Sequence, residues 1–135
     1  NFINPITFET LTGNKCLVIH LTETSSLMLS ISALQSWLNI PCTPASADVI
    51  GKIANGIADD MLTTYNNYGM QMPKLISPAM NTNMFTNPIV QDNLKKLEHY
   101  GYEIIQPDSG YLACGDTGAG KMPSEQVLLN YILRQ

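Results

Sequence analysis

Apolar stretches alternate with polar ones along this chain in a way that predicts strands alternating with helices. Residues 16–21 are a continuous apolar run, which is typical of a strand covered on both faces. In 47–58 and 88–100, apolar residues recur at spacings of three and four, which predicts amphipathic helices. Two further apolar runs, 74–78 and 102–105, predict short strands. This alternation predicts an α/β fold with a parallel sheet, in which ligands bind at the carboxyl ends of the strands.

Capping residues and glycines predict where the remaining elements begin and end. Asn4 and the proline after it begin a short helix that ends before Gly13. Helices are also predicted at 59–68 and 125–133, and the glycine-rich stretch 110–122 is expected to be a loop. The residues expected on the inward faces of the two longer helices are Val49, Ile50, Ile53 and Ile57, then Val90, Leu94 and Leu97.

Composition narrows the classes of partner. Charged residues make up 13% of the 135 residues, about half the share of a typical soluble domain. We therefore expect part of the surface to be buried against another chain. The formal net charge is −4, and the few basic residues are scattered along the sequence, which argues against a nucleic-acid partner.

The three cysteines do not form a ligand or disulfide pattern. Cys16, Cys42 and Cys114 are far apart and odd in number, so neither a disulfide framework nor a metal site is expected. Such cysteine usage favours a reducing, cytoplasmic location. No apolar run approaches the roughly 18 residues that cross a bilayer, so no membrane partner is expected.

Three segments at predicted strand ends carry the candidate chemistry. All are rich in small residues, and they are 44–48 (Pro-Ala-Ser-Ala-Asp), 78–81 (Pro-Ala-Met-Asn) and 112–116 (Leu-Ala-Cys-Gly-Asp). Small side chains let a ligand approach the backbone closely. Each segment also has a purely structural interpretation: Ser46 can cap a helix, Asn81 can cap a turn, and Cys114 can be a small buried side chain.

In this order the segments resemble the flavin-dependent cysteine decarboxylases. That family contains decarboxylases of coenzyme A biosynthesis, lantibiotic peptidyl-cysteine decarboxylases and halotolerance proteins. Residues 44–60 are similar to the family's flavin-contacting segment, and residues 78–84 to its substrate motif. Residues 113–122 are similar to the mobile clamp over the substrate in the coenzyme A branch. The similarity runs from about residue 44 to the end of the chain.

The resemblance implies a Rossmann-like, doubly wound parallel sheet of the flavodoxin-like three-layer type, in one domain over residues 1–135. It also implies a homo-oligomer, commonly a trimer, with FMN at a subunit interface. The residues that would contact the flavin are Ser46, Ala47, Asp48, Val49 and Ala79. The residues that would bind the substrate are Asn81, Met84 and Ala113. Asn81 would hydrogen-bond the substrate's carboxylate or amide, and Cys114 would be the proton donor.

The implied reaction is decarboxylation of 4'-phosphopantothenoylcysteine to 4'-phosphopantetheine in coenzyme A biosynthesis. A simple carboxylate near a thiol has nowhere to place the electrons that remain when CO₂ leaves. Flavin supplies that sink by oxidising the cysteine side chain to a thioaldehyde, and it later returns the hydride. An acid must then protonate the neighbouring carbon, and the thiol of Cys114 can do so. Because lantibiotic enzymes stop at the enethiol and lack this cysteine, Cys114 favours the coenzyme A branch.

Two features of the family are missing from the sequence. No Gly-Ser phosphate loop precedes Asn1, so we expect the full protein to begin upstream of it. The family's catalytic histidine aligns with Ser30, while His20 and His99 are more simply structural residues. Two alternatives therefore stay open. One is a non-catalytic, halotolerance-type regulatory subunit, and the other is a lantibiotic-type peptidyl-cysteine decarboxylase.

Overall fold

The computed structural model describes residues 4–13, 42–68, 74–112, 115 and 117–134. The helices in these ranges are α1 (Pro5–Thr12), α2 (Ala47–Ala54), α3 (Met61–Tyr68), α4 (Thr82–Phe85), α5 (Pro88–His99) and α6 (Glu125–Ile132). The strands are β1 (Cys42–Ala45), β2 (Lys74–Pro78), β3 (Tyr102–Ile104), β4 (Asp108–Tyr111) and β5 (Thr117–Lys121). Some sequence predictions lie outside the described residues: the strand at 16–21 and the roles of Cys16, His20, Ser30, Ala113 and Cys114.

The central sheet is parallel, as predicted. Its described strands follow the order β1-β2-β3, with Cys42 opposite Ile76 and Ile76 opposite Ile104. A parallel pair requires a crossover connection, and α2 and α5 lie on the crossovers into β2 and β3. The carboxyl ends of β1 and β2 therefore meet at one edge of the sheet, where Ala45 is opposite Pro78.

The core lies between this sheet and the pair of helices α2 and α5. Its buried apolar side chains are Cys42, Ala45, Ile50, Ile53, Ala54, Ile76, Val90, Leu94, Leu97 and Ile104. The inward face predicted for α5 is confirmed, since the three residues expected there are all buried. In α2, Ile50 and Ile53 are buried as predicted and Val49 is half-buried. The periodic spacing of apolar residues thus located the main helix contacts.

Two helix boundaries differ from their predictions. The helix expected over 47–58 ends at Ala54, and Gly56 then takes a left-handed conformation with φ of 70°. As a result Ile57, which was expected to face the core, is 47% exposed. The helix expected from residue 59 begins at Met61, because the Asp60 carboxylate accepts a hydrogen bond from the Thr63 amide at 2.8 Å.

The prediction of a loop over 110–122 is wrong, because this glycine-rich stretch contributes to an antiparallel hairpin of β4 and β5. Ser109 pairs with Ala119, and Gly110 with Gly118. Glycine lowers intrinsic strand propensity, so local composition favoured a loop. The hairpin instead depends on cross-strand pairing and on its contact with the chain after β2, neither of which a local pattern reveals. The single-turn helix α4 was likewise not predicted.

A polar cluster occupies the amino ends of the three parallel strands. Cys42, Lys74 and Tyr102 are near or at the first positions of β1, β2 and β3. Lys74 Nζ donates to the Asn66 carbonyl oxygen and to Tyr102 Oη, the latter at 3.2 Å, and Tyr102 Oη also donates to Asn66 at 3.0 Å. Burial raises the pKa of Tyr102 to about 12 and lowers the pKa of Lys74. Hydrogen bonds among Lys74, Tyr102 and the Asn66 carbonyl therefore connect this edge of the sheet.

Cys42 belongs to the same edge and is 3% exposed. Burial, with a smaller effect from the negative charge of Asp60, raises the pKa of the Cys42 thiol to about 11. The thiol is thus a protonated packing group at neutral pH. In the described part of the chain, no helix is long and apolar enough to cross a membrane.

Replacing Cys42 with valine is expected to reduce the loss of stability at alkaline pH. The folded protein retains a thiol proton, up to about pH 11, that the unfolded chain releases near pH 9. This contribution is fully present below about pH 9 and is lost between about pH 9 and 11, at up to about 1.4 kcal/mol per pH unit. Urea unfolding of both proteins at several pH values measures it. An equally steep loss in Cys42→Val would contradict the assignment to this thiol.

Candidate functional site

Two of the three candidate segments meet at the carboxyl edge of the sheet. The Ala79 amide donates to the Ala45 carbonyl oxygen at 3.0 Å, which joins the chain after β2 to the end of β1. Ala45 is fully buried, and the Thr43–Pro44 peptide before it is cis. Segments 44–48 and 78–81, separated in the sequence, therefore form one continuous surface.

Ser46 begins α2 as its capping residue. Its Oγ accepts a hydrogen bond from the Val49 amide at 3.3 Å, so the structural interpretation of this serine is correct. Ala47 and Val49 are half-buried against the core. Asp48 points elsewhere, because its carboxylate is exposed and forms an ion pair with Lys52 at 3.3 Å. Asp48 was predicted to contact the flavin, but its side chain forms an ion pair at the surface.

Asn81 leaves β2 through a capping geometry that fixes its side chain. Asn81 Oδ1 accepts a hydrogen bond from the Asn83 amide at 2.8 Å and so caps the short helix α4. Because Oδ1 accepts this bond from the backbone, Nδ2 is the donor end of the amide. Asn81 is half-buried at this position. An amide donor beside a concave surface is suited to a carboxylate or amide oxygen.

The β4–β5 hairpin packs directly on the chain around Asn81. The Met80 amide donates to the Gly120 carbonyl oxygen at 3.0 Å. A Cβ atom at Gly120 would overlap the Met80 carbonyl oxygen, and one at Gly118 would overlap Thr82 Oγ1. Only glycine permits this approach at both positions. Gly118 and Gly120, which follow the third segment, therefore let the hairpin pack on the second segment.

Between these parts lies a cavity of about 520 Å³. Its lining is mainly apolar and consists of Pro44, Ala79, Met80, Asn81, Tyr111, Leu112, Gly120, Lys121 and Met122. Ala79 and Asn81 are brought together as predicted. Met84 lies nearby on α4, but it is 48% exposed and is not part of this lining.

The sequence analysis gave no role to Tyr111 or Lys121, and both line the cavity. Lys121 lies within the segment 113–122, where attention to its charge could have singled it out. Tyr111 directly precedes Leu112, but nothing in the local sequence distinguishes an exposed tyrosine at a strand end. His99 lies exposed in the last turn of α5, as predicted, with its ring edge-on to Tyr100 at 5.3 Å.

Small residues and a buried hydroxyl lie at the carboxyl edge. Ala47 and Ala79 are half-buried there, and Ala45 belongs to the core. Ser77, in β2, is fully buried, and its Oγ has no hydrogen-bond partner within the described ranges. A buried hydroxyl of this kind is stabilised when a ligand or another polar group satisfies it. The described residues contain no group of three or more side chains suited to holding a metal ion.

Comparisons with known proteins agree with this arrangement. A family model described as Flavoprotein matches residues 2–135. The chain is 37% identical over 135 residues to "Coenzyme A biosynthesis bifunctional protein CoaBC" of Borreliella burgdorferi, covering 99% of this chain and 34% of the relative. It is 35% identical over 136 residues to "Probable phosphopantothenoylcysteine decarboxylase" of Streptococcus mutans, covering 99% of this chain and 76% of that protein. The chain thus spans about a third of the length of the bifunctional relative.

A solved structure shares the same fold. The "FMN-dependent Cysteine Decarboxylases SpaF" structure superposes with a TM-score of 0.77 at 28% identity. The match covers 98% of this chain and 71% of that one. The predicted Rossmann-like α/β architecture is therefore confirmed.

Replacing Gly120 with alanine is expected to lift the hairpin from the chain after β2. The added methyl group would overlap the Met80 carbonyl oxygen, and φ at Gly120 is 118°, which L residues rarely adopt. We expect a loss of about 1–3 kcal/mol in stability and faster hydrogen exchange at the Met80 amide. The control is Gly51→Ala in α2, where a Cβ meets only Asn93 Nδ2 at 3.8 Å; it should be neutral or stabilising. Unchanged exchange at Met80 in Gly120→Ala would contradict the contact.

Proposed function

Because the chain belongs to the Flavoprotein family, we propose that it catalyses FMN-dependent decarboxylation of 4'-phosphopantothenoylcysteine to 4'-phosphopantetheine. The enzyme would be a carboxy-lyase of coenzyme A biosynthesis. One observation carries the proposal: the hairpin whose connection contains Cys114 in sequence packs on the Pro-Ala-Met-Asn segment 78–81, and the two share a cavity. The names of the two relatives support the same reaction.

The carboxyl edge of the sheet is the proposed position of FMN. Ser46, Ala47, Val49 and Ala79 would contact it, and Asp48 would contribute through its backbone because its carboxylate pairs with Lys52. The small side chains and the buried Ser77 hydroxyl described above fit such a group. When bound, FMN supplies a hydride acceptor for the substrate's cysteine side chain and gives the hydride back after CO₂ has left.

Asn81 has the task of holding the substrate's carboxylate. Its Oδ1 is bonded to the Asn83 amide, so its Nδ2 is directed as a donor by the backbone itself. A donor fixed before the substrate arrives loses little entropy on binding and keeps the reacting carbon in register. Met84 and Ala113 complete the proposed substrate contacts.

Cys114 is the proposed proton donor. Loss of CO₂ leaves an electron pair that is delocalised between carbon and sulfur, and that carbon must gain one proton for the saturated product to form. The Cys114 thiol would supply this proton and be reprotonated from solvent, so that hydrogen replaces the carboxyl group with no net redox change. General acid catalysis of this kind is typically worth about 10²- to 10⁴-fold in rate.

The functional form would be a homotrimer, or a multiple of trimers, in the cytoplasm. Each subunit would be a single domain over residues 1–135. Charged residues are only 13% of the chain. Helix α6 buries none of its residues in the isolated chain, and Leu129 and Leu133 are 49% and 80% exposed. Apolar surface of this kind is normally covered in an assembly, which supports a subunit interface with FMN at its edge.

Replacing Asn81 with aspartate separates capping from substrate binding. Aspartate still caps α4 through a carboxylate oxygen, but it cannot donate and it repels a carboxylate. We expect unchanged thermal stability and a loss of about tenfold or more in kcat/KM. Asn87→Asp is the matched control, because Asn87 caps α5 in the same way, through the Ile89 amide at 2.9 Å, outside the cavity. Equal losses in the two variants would contradict the role of Asn81.

Replacing Cys114 with serine should stop the reaction before its last proton transfer. Formation of 4'-phosphopantetheine should fall by about 10²-fold or more, while the oxidised enethiol accumulates. Mass spectrometry of the products and the flavin absorbance measure both effects. Cys42→Ser is the control, since Cys42 is buried at the opposite edge of the sheet. Normal yields of the saturated product from Cys114→Ser would contradict the role of Cys114 as proton donor.

A further inference from the structure

Lys121 is exceptional among the lysine and arginine side chains in the described ranges. No hydrogen bond or ion pair joins its ammonium group to another described residue. The other described cations have the following partners: Asp48 and Asp59 for Lys52, the Asn66 carbonyl for Lys74, Asp92 for Lys95, Asn55 for Lys96, and the ring of Tyr131 for Arg134. The chain has a net charge of −4, so a cation without a partner among the described residues requires a physical explanation.

The position of Lys121 is set by the hairpin. It follows Gly120, whose carbonyl oxygen is bonded to Met80, and it lines the same cavity as Asn81. Its side chain crosses onto β4 above Gly110, where an added Cβ would lie 3.3 Å from Lys121 Cδ and 3.7 Å from Nζ. The ammonium group thus lies over β4, whereas Asn81 lies beside β5. Lys121 and Asn81 thus contribute to the lining of one cavity from different parts of the chain, and Lys121 itself is exposed.

The rest of the lining leaves the charge of Lys121 uncompensated. The described residues of the lining include no carboxylate and are otherwise mainly apolar. Asp108 is opposite Lys121 in the strand register, yet the two side chains form no ion pair in the described part of the chain. Lys121 is exposed, so an anionic group can reach its ammonium from solvent. An anionic ligand group would therefore be attracted to this point.

We propose that Lys121 binds the phosphate monoester of the substrate and makes the site select phosphorylated over unphosphorylated substrate. This inference rests on the proposed function, which gives the substrate a carboxylate at one end of a flexible chain and a phosphate at the other. Asn81 would hold the first and Lys121 the second. A lysine ammonium is a compact point charge with three donors, which suits a phosphate whose orientation need not be fixed. Lys121 is thus a specificity-determining residue, distinct from the residues that carry out the chemistry.

The test uses Lys121→Met in the FMN-loaded, full-length protein. We expect kcat/KM for 4'-phosphopantothenoylcysteine to fall by about tenfold or more, while kcat/KM for pantothenoylcysteine changes little. Lys121→Arg should retain most of the preference, since it keeps the charge. The matched control is Lys95→Met on α5, whose side chain is 73% exposed and whose partner is a surface carboxylate; it should leave both substrates unaffected.

Salt provides a readout that a structural role would not change. Added salt should reduce the preference of the wild-type protein for the phosphorylated substrate, because screening weakens the attraction between ammonium and phosphate. It should have little effect on the ratio in Lys121→Met. Equal losses for both substrates in Lys121→Met, or no loss for either, would overturn the proposal.

Calorimetric titration separates this inference from the proposed reaction. The ligands are 4'-phosphopantetheine and pantetheine, and the expected result is tighter binding of the first, with the difference removed in Lys121→Met. If neither substrate is decarboxylated but this difference is observed, the proposed reaction fails and the phosphate site stands. If decarboxylation is normal and the two ligands bind alike, or neither binds, the phosphate site fails and the reaction is judged separately.

Discussion

The close contact between the β4–β5 hairpin and the chain after β2 is the constraint on which the site depends. The Met80 amide donates to the Gly120 carbonyl oxygen, and the absence of side chains at Gly118 and Gly120 lets the two backbones approach. Without this contact, 78–81 would be an open strand end and the hairpin a two-stranded ribbon, which is marginal by itself. Joined, they enclose a cavity and place Asn81 and Lys121 in one lining. The glycines thus lower local strand propensity and gain a tertiary contact.

The two ends of the parallel sheet differ in whether their polar groups have hydrogen-bond or ion-pair partners. At the amino edge, Lys74 and Tyr102 satisfy each other and the Asn66 carbonyl, and Cys42 is buried as a neutral thiol. At the carboxyl edge, neither the buried Ser77 hydroxyl nor the Lys121 ammonium group has a partner among the described residues. Unsatisfied polar groups reduce stability unless a ligand completes them. Of the buried hydroxyls that lack a partner among the described residues, Ser77 and Thr82 lie on this side, whereas Thr43 and Thr64 lie elsewhere.

The sequence predicted the elements whose formation is local. The spacing of Val90, Leu94 and Leu97 defined the buried face of α5, and Asn4 and Gly13 marked the ends of α1. Prediction failed where distant residues decide the conformation. The glycine-rich hairpin is stabilised by pairing between strands and by contact with 80–82. The two missed helix boundaries have local causes instead, since Gly56 takes a left-handed conformation after α2 and Asp60 caps α3.

The predictions for candidate site residues were also correct for some residues and incorrect for others. Family motifs singled out Ala79 and Asn81, and the fold brings both into one cavity. They also singled out Asp48, whose carboxylate is held away by Lys52. A motif records which residue types recur, but the direction of each side chain depends on its neighbours. Lys121 is the opposite case. No motif gave it a role, and its proposed role follows from the lack of a partner among the described residues.

Asn81 shows why capping geometry alone cannot identify a functional residue. Asn87 has the same interaction, with its side-chain oxygen accepting from the amide two residues later, yet it caps an exposed helix end. In both residues the cap occupies the carbonyl end of a rigid, planar amide and thereby directs the nitrogen end. Serine would also cap α4, but its one oxygen would have to serve both as acceptor for the cap and as donor to a ligand. Asparagine accepts with Oδ1 and donates with Nδ2, so the hydrogen bond that caps α4 also orients the donor. What distinguishes Asn81 is the hairpin that packs on it, because this contact places Asn81 and Lys121 in the lining of the same cavity.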